Sequence, residues 1–201
     1  MAKKGLSKPV MAQYIPTYGP VYRYGIVFSH AVEYSIDAEY SDDNPLFGDN
    51  GVAEDDLPRF TKGTLTLNVT DIPNANTGFL FDVTSGWVDI TYQEGDRQYI
   101  ARVYDKWFSA DAIGRSFGFG IIELHQVDET DKYRTIILPK VTLRTPGESA
   151  TTKGETLDWQ TSELTFDVER SDLGDHPWKI EAWHDSEAEA LAYLKTKLNV
   201  S

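Results

Sequence analysis

The sequence predicts a mostly-β fold, a sandwich or barrel of about eight strands with one C-terminal α-helix packed on it. Three observations lead there. Apolar residues recur with a period of two along most of the chain. Aromatic residues, which suit strands, reach 12%, with five Trp and eleven Tyr. A helical pattern with its own start and stop signals occurs convincingly only at the C-terminal end.

At 201 residues the chain fits one good-sized core, so residues 1–201 are expected to form a single domain. Hydrophobic residues at 40% and charged residues at 25% are an ordinary globular balance, which excludes wholesale disorder. Acids outnumber Lys plus Arg 32 to 19, and a net charge of -13 repels a phosphate backbone, so tight nucleic-acid binding is disfavoured. Without cysteine there are no disulfides, thiolate metal sites or thiol nucleophiles. No segment approaches the ~20 apolar residues of a membrane span. The start, MAKKGLSKPVMAQY, lacks the apolar run of a secretory signal, so a soluble chain used without Sec-type export is expected. Residues 1–18, carrying Lys3, Lys4 and Lys8, read as a flexible basic arm.

In AVEYSIDAEY, Val32, Tyr34, Ile36, Ala38 and Tyr40 alternate with Glu33, Ser35, Asp37 and Glu39, which predicts a half-buried strand with one wet, acidic face. Residues 42–60 then carry Asp42, Asp43, Asp49, Glu54, Asp55 and Asp56 against Arg59, and Pro45, Gly48, Gly51 and Pro58 argue for a long acidic inter-strand loop without a regular element. TLTLNVT restores the alternation, with Leu65, Leu67 and Val69 on one side and Thr64, Thr66, Asn68 and Thr70 on the other.

IPNANTGFLFDVTSG is rich in turn residues, with room for one helical turn. WVDITY, QEGD and RQYIARVYDKWF read as a hairpin. FGFGIIELHQV and KYRTIILPKVTLR are two more strands joined by DETD, and Gly118 and Gly120 suggest a bulge or a close backbone approach. TLDWQTSELTFDVERS is a long strand whose phase slips near Thr161 to Glu163, suggesting a bulge there. HPWKIEAWH closes the set. In residues 185–198, Ser186 and Glu189 have capping-box spacing, Lys195 and Lys197 suit the dipole, and Leu191, Leu194 and Leu198 form an apolar stripe.

The search for chemistry returns little. His30, His125, His176 and His184 are scattered without metal-ligand spacing, and DDNPLFGDNG does not space its oxygens like an EF-hand. No phosphate-cradling glycine turn, GxSxG elbow or SxxK is present. Acid pairs are too common in so acidic a chain to mark a glycosidase. Trp87, Trp107, Trp159, Trp178 and Trp183 could stack on sugars, although aromatics at strand positions belong more often to a core. Neither an enzyme nor a cofactor is expected. The features suit a self-assembling building block.

The order of segments resembles the major tail tube proteins of long-tailed (siphovirus) bacteriophages, in particular the phi13-type family. The resemblance rests on IDAEYSDD, KGTLTLNVTDI, FGFGIIE, YRTIILPKVTLRTPGE, TKGETLDWQTSELTFDV and WHDSEAEALAYLKTKL, and covers the chain from about Gly19 onward. DIPNANTGFLFDV departs from it, because relatives are more clearly helical there. The resemblance implies a β-sandwich subunit that polymerises as stacked hexameric rings, making the tube through which double-stranded DNA leaves the virion. It implies that residues 31–41 and 61–70 line the channel, with Glu33, Ser35, Asp37, Glu39, Thr64, Thr66 and Asn68 facing the lumen. The loop between them would contact the adjacent ring through Asp42, Asp43, Leu46, Phe47, Asp49, Glu54, Asp55, Asp56, Leu57 and Phe60. Implied partners are further copies of the chain, the tape measure and the tail terminator, in a virion tail assembled in the bacterial cytoplasm, with no membrane. A carbohydrate- or receptor-binding β-sandwich module is the alternative.

Overall fold

A computed structural model describes residues 2–16, 21–27, 31–42, 44–48, 51–70, 78–81, 83–108, 114–144 and 162–200, and the side chains of all these except 2, 44–48, 51–56, 83 and 108. The fold is mostly β, with a helix at the C-terminal end. The chain divides into two compact units, residues 1–72 with 116–201 and residues 73–115, where a single unit was expected from the sequence.

The first unit is built on an eight-stranded antiparallel sheet. Its strands are β1 (Ala2–Tyr14), β2 (Tyr22–Val27), β3 (Ala31–Tyr40), β6 (Phe60–Val69), β9 (Ser116–Val127), β10 (Thr130–Leu143), β11 (Ser162–Val168) and β12 (Ile180–His184). The order is β2-β1-β9-β10-β11-β6-β3, with β12 also on β10. The N-terminal half of β10 pairs with β12 at Tyr133–Ile137 and its C-terminal end pairs with β11 at Val141–Leu143. Between them the β9 register slips by one residue at Pro139 and Lys140, and such a bulge bends a strand. β10 is thereby common to two layers of a sandwich, one containing β2, β1, β9 and β12 and the other β11, β6 and β3.

Alternation fills the space between the layers. Leu65, Leu67 and Val69 of β6 and Leu164, Phe166 and Val168 of β11 are fully buried in register, Phe166 opposite Leu65 and Leu164 opposite Leu67. Phe117, Phe119 and Ile121 on one face of β9 are equally buried. Burying each such side chain is worth about 2 kcal/mol. The other face of β9 receives the C-terminal helix (Glu187–Lys197), where Ala190, Leu194 and Leu198 join Val10, Ala12, Ile122 and Ile137 in one cluster.

Ser186 caps that helix, its Oγ accepting from Glu189 N at 3.2 Å. The buried stripe is Ala190, Leu194 and Leu198, with Leu191 only half-buried. Gly118 and Gly120 make room for side chains, which corrects the expected bulge or backbone approach. A Cβ on Gly118 would lie 2.4 Å from the Tyr22 ring, and one on Gly120 would lie 2.9 Å from Leu194. The Tyr22 ring crosses Gly118 so that its hydroxyl donates to the Pro139 carbonyl, at the bulge, over 3.0 Å.

Two sequence expectations fail here. The supposed arm is a strand, and Val10, Met11 and Ala12 are wholly buried between β2 and β9. Three consecutive buried residues show no period-two pattern, which hid the strand. Its lysines pair within the chain, Lys3 with Glu123, Lys4 with Asp131 at 2.8 Å and Lys8 with Glu187 at 3.6 Å. The acidic excursion is also regular: β4 (Asn44–Gly48) pairs antiparallel with β5 (Gly51–Asp56). Ladder hydrogen bonds need no apolar pattern, so proline and glycine did not prevent pairing.

The second unit contains a helical turn at residues 78–80 and the long hairpin β7 (Val83–Glu94) and β8 (Arg97–Phe108). The hairpin turns on Gly95 and Asp96, with Gly95 at φ +61°, a left-handed conformation that glycine adopts without a steric penalty. The sequence leaves open whether residues 71–83 contain a helix, and most of that segment beyond the turn at 78–80 lies outside the described residues, as does the phase slip at 161–163 except for Ser162 and Glu163, which are regular strand.

Candidate functional site

The acidic face read from the sequence is one surface in the structure. β3 pairs with β6 in the register Glu33–Asn68, Ser35–Thr66, Asp37–Thr64 and Glu39–Lys62. All seven lumen-facing candidates, Glu33, Ser35, Asp37, Glu39, Thr64, Thr66 and Asn68, therefore share the side opposite the buried Leu65, Leu67 and Val69. β11 extends the surface by a third rank, with Glu163 opposite Asn68, Thr165 opposite Thr66 and Asp167 opposite Thr64.

This face holds Glu33, Asp37, Glu39, Glu163 and Asp167, interleaved with hydroxyl and amide side chains. Lys62 meets Glu39 at 3.3 Å, and Arg144 Nε donates to Asp167 at 2.9 Å. Among the described residues Glu33, Asp37 and Glu163 have no ion-pair partner, so the ranks on β3 and β11, on either side of the uncharged Thr64, Thr66 and Asn68 of β6, keep negative charge. β3 ends the sheet, and among the described residues its outer edge is unpaired. One expectation fails on this strand. Val32, placed in phase with the buried side, is exposed, because the register slips between Ala31 and Glu33 and turns it outward.

The ring-stacking candidates are only partly gathered. Asp43 and Asp49 lie outside the described residues, and Leu46, Phe47, Glu54, Asp55 and Asp56 are placed by backbone alone on β4 and β5. Asp42 is exposed, and Leu57 is 68% exposed. Phe60 is not a free anchor: it stacks on Trp178 of its own chain at 4.5 Å and meets Tyr40 edge-on. The neck of the excursion is closed by Ser41 N donating to Arg59 O at 2.8 Å and Arg59 N donating to Ser41 Oγ at 3.0 Å.

Behind the acidic face lies a cluster that the sequence reading missed. Glu123 of β9 is 1% exposed. Its Oε1 accepts from Tyr34 Oη of β3 and from Lys3 Nζ of β1, and its Oε2 meets His125 Nε2 at 2.9 Å and Arg134 Nη1 at 3.2 Å. Arg134 continues to Glu181 of β12, with Nη2 to Oε1 at 2.5 Å. Burial alone would raise the Glu123 carboxyl, but donation by Lys3, Tyr34 and His125 outweighs it and holds the group at about 2. Tyr34 is pushed the other way, by burial first and then by the Glu123 carboxylate that its hydroxyl serves. The cluster joins β3 of one layer to β1, β9 and β10 of the other. A signal was present: Glu123 is in phase with Phe117, Phe119 and Ile121, an acid where the pattern calls for an apolar residue.

The tryptophans were expected more often in a core, which is corrected for Trp87, Trp107 and Trp183, 64%, 54% and 48% exposed, while Trp178 is half-buried and Trp159 lies outside the described residues. Trp183 borders an open cavity of about 350 Å³ with Val127, Lys132, His184 and Asp185. Among the described residues no group of His, Asp and Glu side chains is arranged to hold a metal ion, and no helix is long and apolar enough to cross a membrane. No known family model matches the sequence, and no curated protein aligns with it significantly. What the fold defines is a mostly-β sandwich with a C-terminal helix on its outer face.

Proposed function

We propose that the chain is a structural subunit of a bacteriophage tail tube, without enzymatic activity, that polymerises as stacked six-fold rings around a DNA-conducting channel in the virion tail. The observation that carries this reading is the acid and hydroxyl face continuous over β3, β6 and β11, ending at the open edge of β3. A wall of Lys or Arg would bind DNA by releasing counterions, whereas carboxylates repel phosphate and keep a water layer between wall and duplex.

The hairpin β7–β8 supports the same reading. One of its faces carries Val88, Ile90 and Tyr92 opposite Val103, Ala101 and Tyr99, and Ile90 and Tyr92 are 42% and 44% exposed. Contiguous exposed apolar surface of this kind marks an interaction site, and a lone two-stranded ribbon is marginal in water. In the proposed ring each copy contributes four strands, β3 and β6 among them, to one shared barrel. Six copies then give ~24 strands, a circumference of roughly 160 Å at ~4.8 Å spacing and a tilt near 45°, and a bore of ~40 Å after side chains. A duplex about 20 Å across passes through such a bore. The β4–β5 excursion is the proposed contact between rings, and the tape measure and tail terminator are the further partners.

Electron microscopy of the purified chain at high concentration tests the proposal, with hollow tubes or rings expected. Replacing Glu33, Asp37 and Glu39 together by Lys leaves tubes intact and slows DNA release from virions built with the variant. A chain that stays monomeric and is retained on polysaccharide resin overturns the reading in favour of a carbohydrate-binding module using Trp183 and its cavity.

A further inference from the structure

The two halves of β1 are held by different forces. Val10–Tyr14 lies between β2 and β9, with Val10, Met11 and Ala12 wholly buried. Residues 2–7 pair with β9 alone, from Gln126 to Ile122, and none of the described side chains among them is buried. That segment is held by its ladder and by polar contacts: Lys3 with Glu123, Lys4 with Asp131, and Ser7 Oγ donating to Glu187 at 2.8 Å.

Between the halves is a strained joint. Lys8 sits at φ +47°, a left-handed conformation that costs a non-glycine residue energy, and Pro9 follows it, which drives the preceding residue toward extended backbone. Lys8 and Pro9 together oppose a single β9 residue, so the strand is kinked where it passes from one half to the other.

We propose that residues Ala2–Ser7 exchange between copies, each segment leaving its own β9 and pairing with the β9 of a second copy of this chain. The chemistry selects this occupant. Glu123 is buried and served by Lys3, so an open edge without that lysine leaves a carboxylate short of a donor. Only the same segment restores the ladder, the Lys3 and Lys4 ion pairs and the Ser7 contact, because the register and polar contacts made within a chain are equally available between chains. Closed and exchanged forms therefore share their contacts and differ at the joint, where straightening Lys8 relieves the kink.

The exchange needs no ring, so it stands or falls apart from the tube reading. The cysteine-free sequence makes the test direct. Gly5 and Leu124 are cross-strand partners, and a Cβ on Gly5 meets nothing within 4 Å. A Gly5→Cys chain is mixed with a Leu124→Cys chain at high concentration and high salt, returned to low salt and oxidised. A disulfide between the two chains is expected, and adding Lys8→Gly to both, which removes the strain from the closed form, should lower its yield about fivefold. The double variant Gly5→Cys/Leu124→Cys, oxidised when dilute, should close within its own chain. Closure within the double variant but no disulfide between mixed chains overturns the proposal. A double variant that closes in neither way overturns the register beneath it, and an unchanged yield with Lys8→Gly removes the joint as the driving strain.

Discussion

The hairpins β9–β10 and β7–β8 are built alike and have opposite fates. Each joins strands of 12 residues or more through a two-residue turn, Asp128–Glu129 in one and Gly95–Asp96 in the other. β9 is buried on both faces, with Phe117, Phe119 and Ile121 on one side and Gly118 and Gly120 under the helix and Tyr22 on the other. β7 and β8 bring comparable apolar side chains into register and leave them half exposed. Turn chemistry and cross-strand pairing suffice to form a hairpin, while burial depends on what the rest of the chain lays over it.

Substitutions can break or sharpen this contrast. The largest effect is expected in the core, where Phe119→Ala should lower stability by about 4 kcal/mol and Tyr92→Ala by less than about 1, measured by chemical denaturation. Equal losses would mean that the two hairpins are buried alike. Next comes the polar cluster at the end of β9. Glu123→Gln leaves Lys3 and Arg134 facing a neutral amide and should cost about 3 kcal/mol. Because the folded carboxyl is held at about 2, below its ordinary value, its contribution is complete above about pH 4.5 and fades as pH falls toward 2. Acid titration of stability in wild type and Glu123→Gln checks the sign, since the variant's stability should fall less over that window. The smallest effect separates the glycines. Gly118→Ala drives a Cβ into the Tyr22 ring and should cost about 2 kcal/mol, whereas a Cβ on Gly86 of β7 meets nothing closer than 3.8 Å, so Gly86→Ala should be nearly neutral.

The same contrast shows what could be read beforehand. β3, β6 and the C-terminal helix were legible because one face of each is buried and the other wet, or because caps and charges mark the ends, and β9 and β10 because their apolar runs flank a short polar turn. The acidic face was legible for the same reason, since Glu33, Asp37 and Glu39 had to share a side once Tyr34, Ile36 and Ala38 turned inward. β1 was not legible, because burial on both faces at Val10–Ala12 erases alternation while Lys3, Lys4 and Lys8 make the segment look like a solvated tail. β4 and β5 were hidden for the opposite reason, since their backbone pairing leaves no apolar trace in an acid-rich stretch. The exposure of Trp87 and Trp107 was not legible at all, because strand patterning says which residues share a side and not whether anything covers it.

The sharing of β10 between the layers bears on how the molecule comes apart. In a sandwich whose sheets touch only through side chains, one sheet can peel away while the other keeps its hydrogen bonds. Here β9 runs along β10 from Thr130 to Thr142 while β12 grips the first part of β10 and β11 its end, so neither layer can melt without unzipping a strand on which the other depends. Loss of order in this unit is therefore a single cooperative event, and a force pulling on either sheet is carried into the other along one unbroken run of backbone.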